Sequence, residues 1–296
     1  MARIFVSGAN GFIGRALTTR LLHAGHDVLG GVRVPVPLAE GIRPLVTGDL
    51  TTSTPALGDV DVVIHTAGLA HQNGHSLEEM RRGNVTAAEK LAAVTPTTAR
   101  FIFLSSIVVH GRAHPTPIMD TTPPAPTDDY ARSKLAAEQS LRTLLGDRLH
   151  IVRPAAVIGP HCPGNIPLLL KALRRGIPLP LGAVRNARSF IDISDLTDLI
   201  LKLVDSNAPG LLLAAHPQPI STPDLIRALA RGLNHPARLW PVPPLWLALA
   251  ARATGKSRIW QSLSGSLVVK PQAALQLGWS PARELSLSLQ KTAEAG

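Results

Sequence analysis

The opening of the chain constrains its fold more than any other segment. Arg3-Ile4-Phe5-Val6 is a short apolar run of strand type, Ser7-Gly8-Ala9-Asn10-Gly11-Phe12-Ile13-Gly14 is a glycine-rich turn, and residues 15–24 follow with an amphipathic pattern. Strand, glycine turn and helix in that order begin a parallel α/β sheet. Glycines at 8, 11 and 14 let the chain turn sharply, bring backbone N–H groups close to a pyrophosphate, and pack the helix on the strand. Phe12 and Ile13 complete this cofactor-facing turn. The spacing is G-x-x-G-x-x-G, not the G-x-G-x-x-G of the dehydrogenase fingerprint.

Further strand-type runs fall at residues 27–31, 44–47, 60–66, 100–105 and 150–154, with helical patterns between them. Strands alternating with helices predict a Rossmann-type, doubly wound parallel sheet. Beyond residue 154 Pro and Gly recur, and helical patterns lie near 165–176, 195–206, 222–232 and 245–254. Residues 1–160 are expected to form a dinucleotide-binding catalytic domain, to which later segments return. Residues 161–296 are expected to be mainly a smaller substrate-binding region. Residues 113–129, rich in Pro and Thr, are expected to loop over the active site.

Composition narrows the class. At 296 residues, 45% hydrophobic and 17% charged, the chain can bury a full core and is globular. Cys162 is its one cysteine, which rules out an intrachain disulfide and suits a reducing cytoplasm. The amino terminus shows no signal-peptide pattern. No apolar run reaches the roughly 20 residues of a membrane span; the nearest, 239–251, contains three prolines. The formal net charge of +10 comes from scattered basic residues without dense runs or interleaved aromatics, which argues against nucleic acid. Phosphate-bearing ligands would benefit from that potential. No His, Asp or Glu cluster has metal-ligand spacing.

Tyr130 is the only tyrosine, and Lys134 lies four residues on, at the expected start of a helix. That spacing puts both on one helical face, where the ammonium can favour the phenolate and prepare the phenol for proton transfer. Upstream, Arg100-Phe101-Ile102-Phe103-Leu104-Ser105-Ser106 is a buried-type strand ending in two hydroxyls, where open α/β sheets bind ligands.

With these pieces in order, nearly the whole chain resembles the extended short-chain dehydrogenase/reductase family, in particular its nucleotide-sugar epimerases and 4-keto reductases. Ser106-Ile107-Val108-Val109-His110-Gly111 is similar to the family's S-x-x-x-Y-G run. The resemblance therefore implies Ser106, Tyr130 and Lys134 as the catalytic triad, with His110 where the family usually has a second tyrosine. His65-Thr66-Ala67-Gly68 is similar to its H-x-A-A segment, which implies Thr66, Ala67 and Gly68 beside the cofactor. Asp49-Leu50 is similar to the pair near the adenine, and Asn84-Val85 to the N-V pair of the next helix. Arg153-Pro154-Ala155-Ala156-Val157-Ile158-Gly159-Pro160 resembles R-P-x-x-V-x-G-P, which places Pro154 at the cofactor and leads into the sugar-nucleotide site.

For the substrate, the resemblance implies contacts from Asn165 at a helix start and from Leu181 in the run ending at Gly182. Arg188-Ser189-Phe190-Ile191-Asp192-Ile193-Ser194-Asp195-Leu196 is similar to the block whose arginine pairs with the substrate diphosphate, a role that suits a planar guanidinium. His161 is a further expected substrate contact. Ile107 stands where fucose-synthesising relatives have a catalytic Cys, and Ile107-Val108 cannot replace the Asp-Glu pair of the dehydratases.

The cofactor follows from a missing acid. NAD-selective folds place Asp or Glu about twenty residues past the glycines; here the run is Gly30-Gly31-Val32-Arg33. Arg33 could neutralise a 2′-phosphate, so NADP is expected, with NAD as the alternative. The leading expectation is an NADPH-dependent reductase of a 4-keto, 6-deoxy nucleotide sugar. The runner-up is a 4-epimerase with retained NAD, and more remote are a reductase of a non-nucleotide ketone and a non-catalytic dinucleotide sensor. The resemblance also allows a homodimer.

Overall fold

Apolar runs of four to six residues become the strands of the main sheet. In the computed structural model, which describes residues 1–69, 76–206 and 210–296, they are β1 (Arg3–Ser7), β2 (Asp27–Val32), β3 (Arg43–Val46), β4 (Val62–His65), β5 (Arg100–Leu104) and β6 (Leu149–Pro154). Two short strands, β7 (Ala156–Ile158) and β8 (Phe190–Asp192), pair with each other, and β9 (Leu211–Ala214) returns to the main sheet. The seven strands run β3-β2-β1-β4-β5-β6-β9 and all pair in parallel. Strand order reverses between β1 and β4, so their carboxyl ends open the crevice in which such sheets bind ligands.

The helices are α1 (Phe12–His23), α2 (Leu77–Arg81), α3 (Ala87–Ala93), α4 (Asp129–Leu145), α5 (Ile166–Arg174), α6 (Ile193–Val204), α7 (Thr222–Gly232), α8 (Pro244–Ala253), α9 (Ser257–Ser264), α10 (Gln272–Gln276) and α11 (Leu285–Ala295). A π-helical turn, Arg82–Thr86, joins α2 to α3. α1 and α6 cover one face of the sheet, where Leu17, Leu21, Leu196 and Leu199 meet Ile4, Val6 and Ile64. α3 and α4 cover the other, where Leu91 and Leu141 meet Phe5, Phe101 and Phe103. Because both faces are packed, the inner strands read as continuous apolar runs without alternation.

A second core joins α5, α7 and α11 through Leu169, Leu173, Ile226, Leu229 and Leu289. α11 lies so close along α7 that a Cβ on Gly232 would sit 2.3 Å from the Gln290 carbonyl oxygen. The strand expected at 60–66 is observed as the shorter β4, preceded by Asp61, whose carboxylate accepts from the Arg3 N–H at 2.7 Å. Residues 113–128 form an irregular loop, tied at Ile118 by a β-bridge to Val269.

Candidate active site

The turn after β1 is built for close backbone approach. Gly8 has φ +70°, and a Cβ on Gly14 would lie 2.0 Å from the Gly8 carbonyl oxygen, so only glycine fits there. Gly11 caps α1 without a side chain, and the helix has no acid in its first turn. Its N-terminal amides are thus suited to an anion. Phe12 packs toward the second core and Ile13 toward the first. The end of β4 is laced to β1: Thr66 Oγ1 donates to the Ser7 carbonyl at 2.6 Å, and the Ala67 N–H to Ser7 Oγ at 3.3 Å. A glycine cradle under an uncapped helix fits the pyrophosphate of a dinucleotide.

Gly31 is filled from below by the Phe5 ring, which a Cβ would meet at 2.5 Å. Arg33 and Asp49 meet: the guanidinium donates to Asp49 Oδ2 at 2.7 Å, with 75% of the Arg33 side chain exposed. Hydrogen bonding from Thr51 holds the Asp49 carboxyl below the usual range, and Arg33 and Arg82 add to the effect. Leu50, beside it, is buried. Asn84, in the π-helical turn, accepts from the Leu69 N–H at 2.8 Å and donates to Ser133 Oγ at 2.9 Å. It thereby clamps the Gly68-Leu69 backbone to α4.

Asp128 caps α4 by accepting from the Ala131 N–H at 3.0 Å, which sets Tyr130 in the first turn. Tyr130, Lys134 and Glu138 then recur every four residues along one face. Ser106 lies close enough to the Tyr130 phenol to act on its pKa. Burial raises the Tyr130 pKa; Ser106 opposes it, Asp128 reinforces it and Arg112 lowers it. The Lys134 ammonium sits 4.4 Å from the Phe103 ring centroid, and a Cβ on Gly68 would lie 3.8 Å from its nitrogen. Burial pushes Lys134 down to about 8, against the attraction of Glu138.

The two adjacent serines face different partners, as strand alternation requires. Ser105 Oγ donates to Glu138 Oε1 at 2.6 Å, and Arg153 donates to both oxygens of that buried carboxylate, at 2.9 and 2.5 Å. Arg153 also lies 3.0 Å from His110 Nε2, so that nitrogen is the acceptor and Nδ1–H donates to the Pro123 carbonyl at 3.3 Å. Burial, with help from Arg153, pushes His110 down to about 4. His65, stacked on Phe103, has Nδ1 2.7 Å from Ser7 Oγ, and burial with Lys134 pushes it to about 3. Both histidines are therefore neutral near pH 7.

Sequence reasoning missed Arg112. It donates to Asp128 at 2.5 Å, its carbonyl accepts from Arg188 at 3.2 Å, and its buried Nη2 has no hydrogen-bond partner among the described residues. Burial and the Arg112 charge push Arg188 down to about 10, and the Arg112 charge also acts on Tyr130. No local pattern marks Arg112, since its partners lie 16 and 76 residues away. Asp128, also not singled out, carries a local signal in its position as the helix cap of α4. His161, with φ +57°, and Asn165 are exposed in the segment between β7 and α5, whereas Leu181 is buried in the second core. Pro154 ends β6.

Glycine cradle, crevice and the Ser106–Tyr130 pair define an NAD(P)-dependent enzyme of the epimerase and oxidoreductase type. The chain belongs to the NAD dependent epimerase/dehydratase family, whose profile matches residues 4–211, within the extended short-chain dehydrogenases/reductases. It is 33% identical over 311 residues to a UDP-glucose 4-epimerase of Vibrio cholerae, covering 99% of this chain and 94% of the relative. It is 30% identical over 308 residues to a dTDP-6-deoxy-L-talose 4-dehydrogenase (NAD(P)(+)) of Kitasatospora kifunensis, covering 96% and 92%. A crystal structure of UDP-galactose 4-epimerase superposes with a TM-score of 0.79 over 99% of this chain and 98% of that one, at 22% identity, and shares the fold.

Proposed function

We propose that this protein is an NADPH-dependent reductase of a 4-keto, 6-deoxy nucleotide sugar, acting in the cytoplasm. The observation that carries the reading is the placement of Tyr130 and buried Lys134 one turn apart at the start of α4, with Ser106, just past the carboxyl end of β5, acting on the Tyr130 phenol. The dinucleotide supplies the hydride that reduces the sugar carbonyl. Tyr130 donates the proton to the oxygen at C4, and Ser106 holds that oxygen by a second hydrogen bond. Lys134 places positive charge under the crevice, at the Gly68 backbone, where a nicotinamide ribose would lie. The buried Glu138–Arg153–His110 network fixes the face of α4 that presents Tyr130 and Lys134.

Arg112 and Arg188 form the recess proposed for the substrate diphosphate. Two neighbouring guanidiniums favour a dianionic ligand. Exposed Asn165 and His161 would meet the nucleotide end, while Leu181 shapes the wall from within the core. Arg33 is proposed to bind the 2′-phosphate of NADP, which favours net reduction, because exchange with a reduced pool is needed at each turnover.

A second reading, 4-epimerisation with retained NAD, is favoured by the identity to the Vibrio cholerae relative. Incubation with UDP- and dTDP-linked hexoses and their 4-keto forms separates the two. Reduction consumes NADPH in proportion to product, whereas epimerisation interconverts hexoses with no net change in the reduced cofactor.

A further inference from the structure

Between Asp224 and Glu284 the chain carries eight arginines and lysines and no acid, although its formal net charge is only +10. The apolar helix α8 lies in this segment, and none of its residues is buried. At 3.6 residues per turn, Leu245, Trp246 and Leu249 share one arc of about 100°, and they are 68%, 65% and 49% exposed. Exposed Arg252 continues the same arc one turn further on. Leu247, on the opposite side, packs against the second core and fixes which face looks outward. Trp240 ahead of the helix and Ile259 beyond it extend the exposed apolar surface, and exposed Lys256 lies between α8 and α9.

Single exposed apolar side chains are ordinary, but this grouping is not. Two indoles and two leucines bordered by cations, in a segment whose sequence holds no acid, have the composition of an interfacial helix. The leucines enter the acyl boundary, the indoles sit at headgroup depth, and Arg252 and Lys256 reach the phosphates. Ten residues of helix extend only about 15 Å, too short to span a bilayer. A second copy would bring two such basic segments together, and that repulsion argues against it. We infer that α8, with Trp240, docks this enzyme on an anionic phospholipid surface as a peripheral contact. This inference stands independently of the substrate.

Sedimentation of the full chain with vesicles tests it. The protein pellets with phosphatidylcholine vesicles containing about one third phosphatidylglycerol, stays in solution with phosphatidylcholine alone, and is released by about 0.5 M NaCl. Arg252→Gln with Lys256→Gln weakens partitioning about fivefold per charge. Trp246→Gln with Leu249→Gln weakens it about tenfold or more, with cofactor binding and melting temperature unchanged. No pelleting with either vesicle overturns the inference, as does equal pelleting with both or pelleting that Trp246→Gln/Leu249→Gln leaves intact. A mass that doubles with concentration, returns to monomer in that variant and ignores vesicles assigns the face to a second copy instead.

Discussion

Arg33 donates to Asp49 over 2.7 Å, across the carboxyl ends of the neighbouring strands β2 and β3. The acid holds the guanidinium at the crevice edge and also competes with any phosphate brought there. Arg33→Ala is expected to weaken NADPH by roughly 1.5–3 kcal/mol, the usual worth of a hydrogen bond to a charged group, and NADH far less. Asp49→Asn, which releases Arg33, should raise the preference for NADPH. Fluorescence titration with both cofactors checks this, and equal losses for the two would remove Arg33 from the phosphate site.

Lys134 is expected to cost stability while serving turnover. Burial lowers its pKa from 10.5 to about 8, so between those values the unfolded chain binds the extra proton and folding stability rises with pH. Below pH 8 the whole cost is present. Lys134→Met should therefore raise the unfolding free energy at pH 7 by ~1–3 kcal/mol, a gain that shrinks above pH 8, while turnover collapses. Urea titrations at pH 7 and pH 10 with an activity assay test both halves.

Acid sensitivity has a matching origin in His65 and His110. Their pKa values of about 3 and about 4 lie below the ordinary 6.5, so the unfolded state takes up protons first as pH falls. Each histidine is expected to withdraw about 2 kcal/mol of stability between pH 7 and pH 5. In His65→Asn the slope of stability against pH over that interval should be roughly halved. An unchanged slope would mean that other groups drive acid unfolding.

Arg188 and Arg112 are expected to hold one anion together. Arg188→Ala should weaken UDP by roughly 1.5–3 kcal/mol and appear mainly as a raised KM, because the diphosphate is remote from the reacting carbon. Arg112→Gln should do the same, and the double variant should lose less than the sum of the two. Calorimetry with UDP is the measurement; strict additivity would place the two guanidiniums in separate sites.

The first six strands of the main sheet were legible because most are apolar runs bounded by turn residues. β7, β8 and β9 were not, since three or four apolar residues do not distinguish strand from helix and the pairing partner decides. Tyr130, Lys134 and the glycine turn stood out by spacing along one element. Ser106 was selected over Ser105 by motif alone, and the physical difference between them, Tyr130 against Glu138, exists only once α4 is docked. Arg112 carries no local signal at all.

The most direct test of the account is a labelled turnover. The protein is incubated with NADPH deuterated at the transferring carbon and a 4-keto-6-deoxy nucleotide sugar, and the product is read by NMR, beside Tyr130→Phe. Deuterium is expected at sugar C4, with one NADPH consumed per product and a rate lower by about 10² or more in Tyr130→Phe, which still binds the cofactor. Near-normal turnover in Tyr130→Phe, or no label at C4 with any UDP- or dTDP-linked 4-keto sugar, would contradict the account.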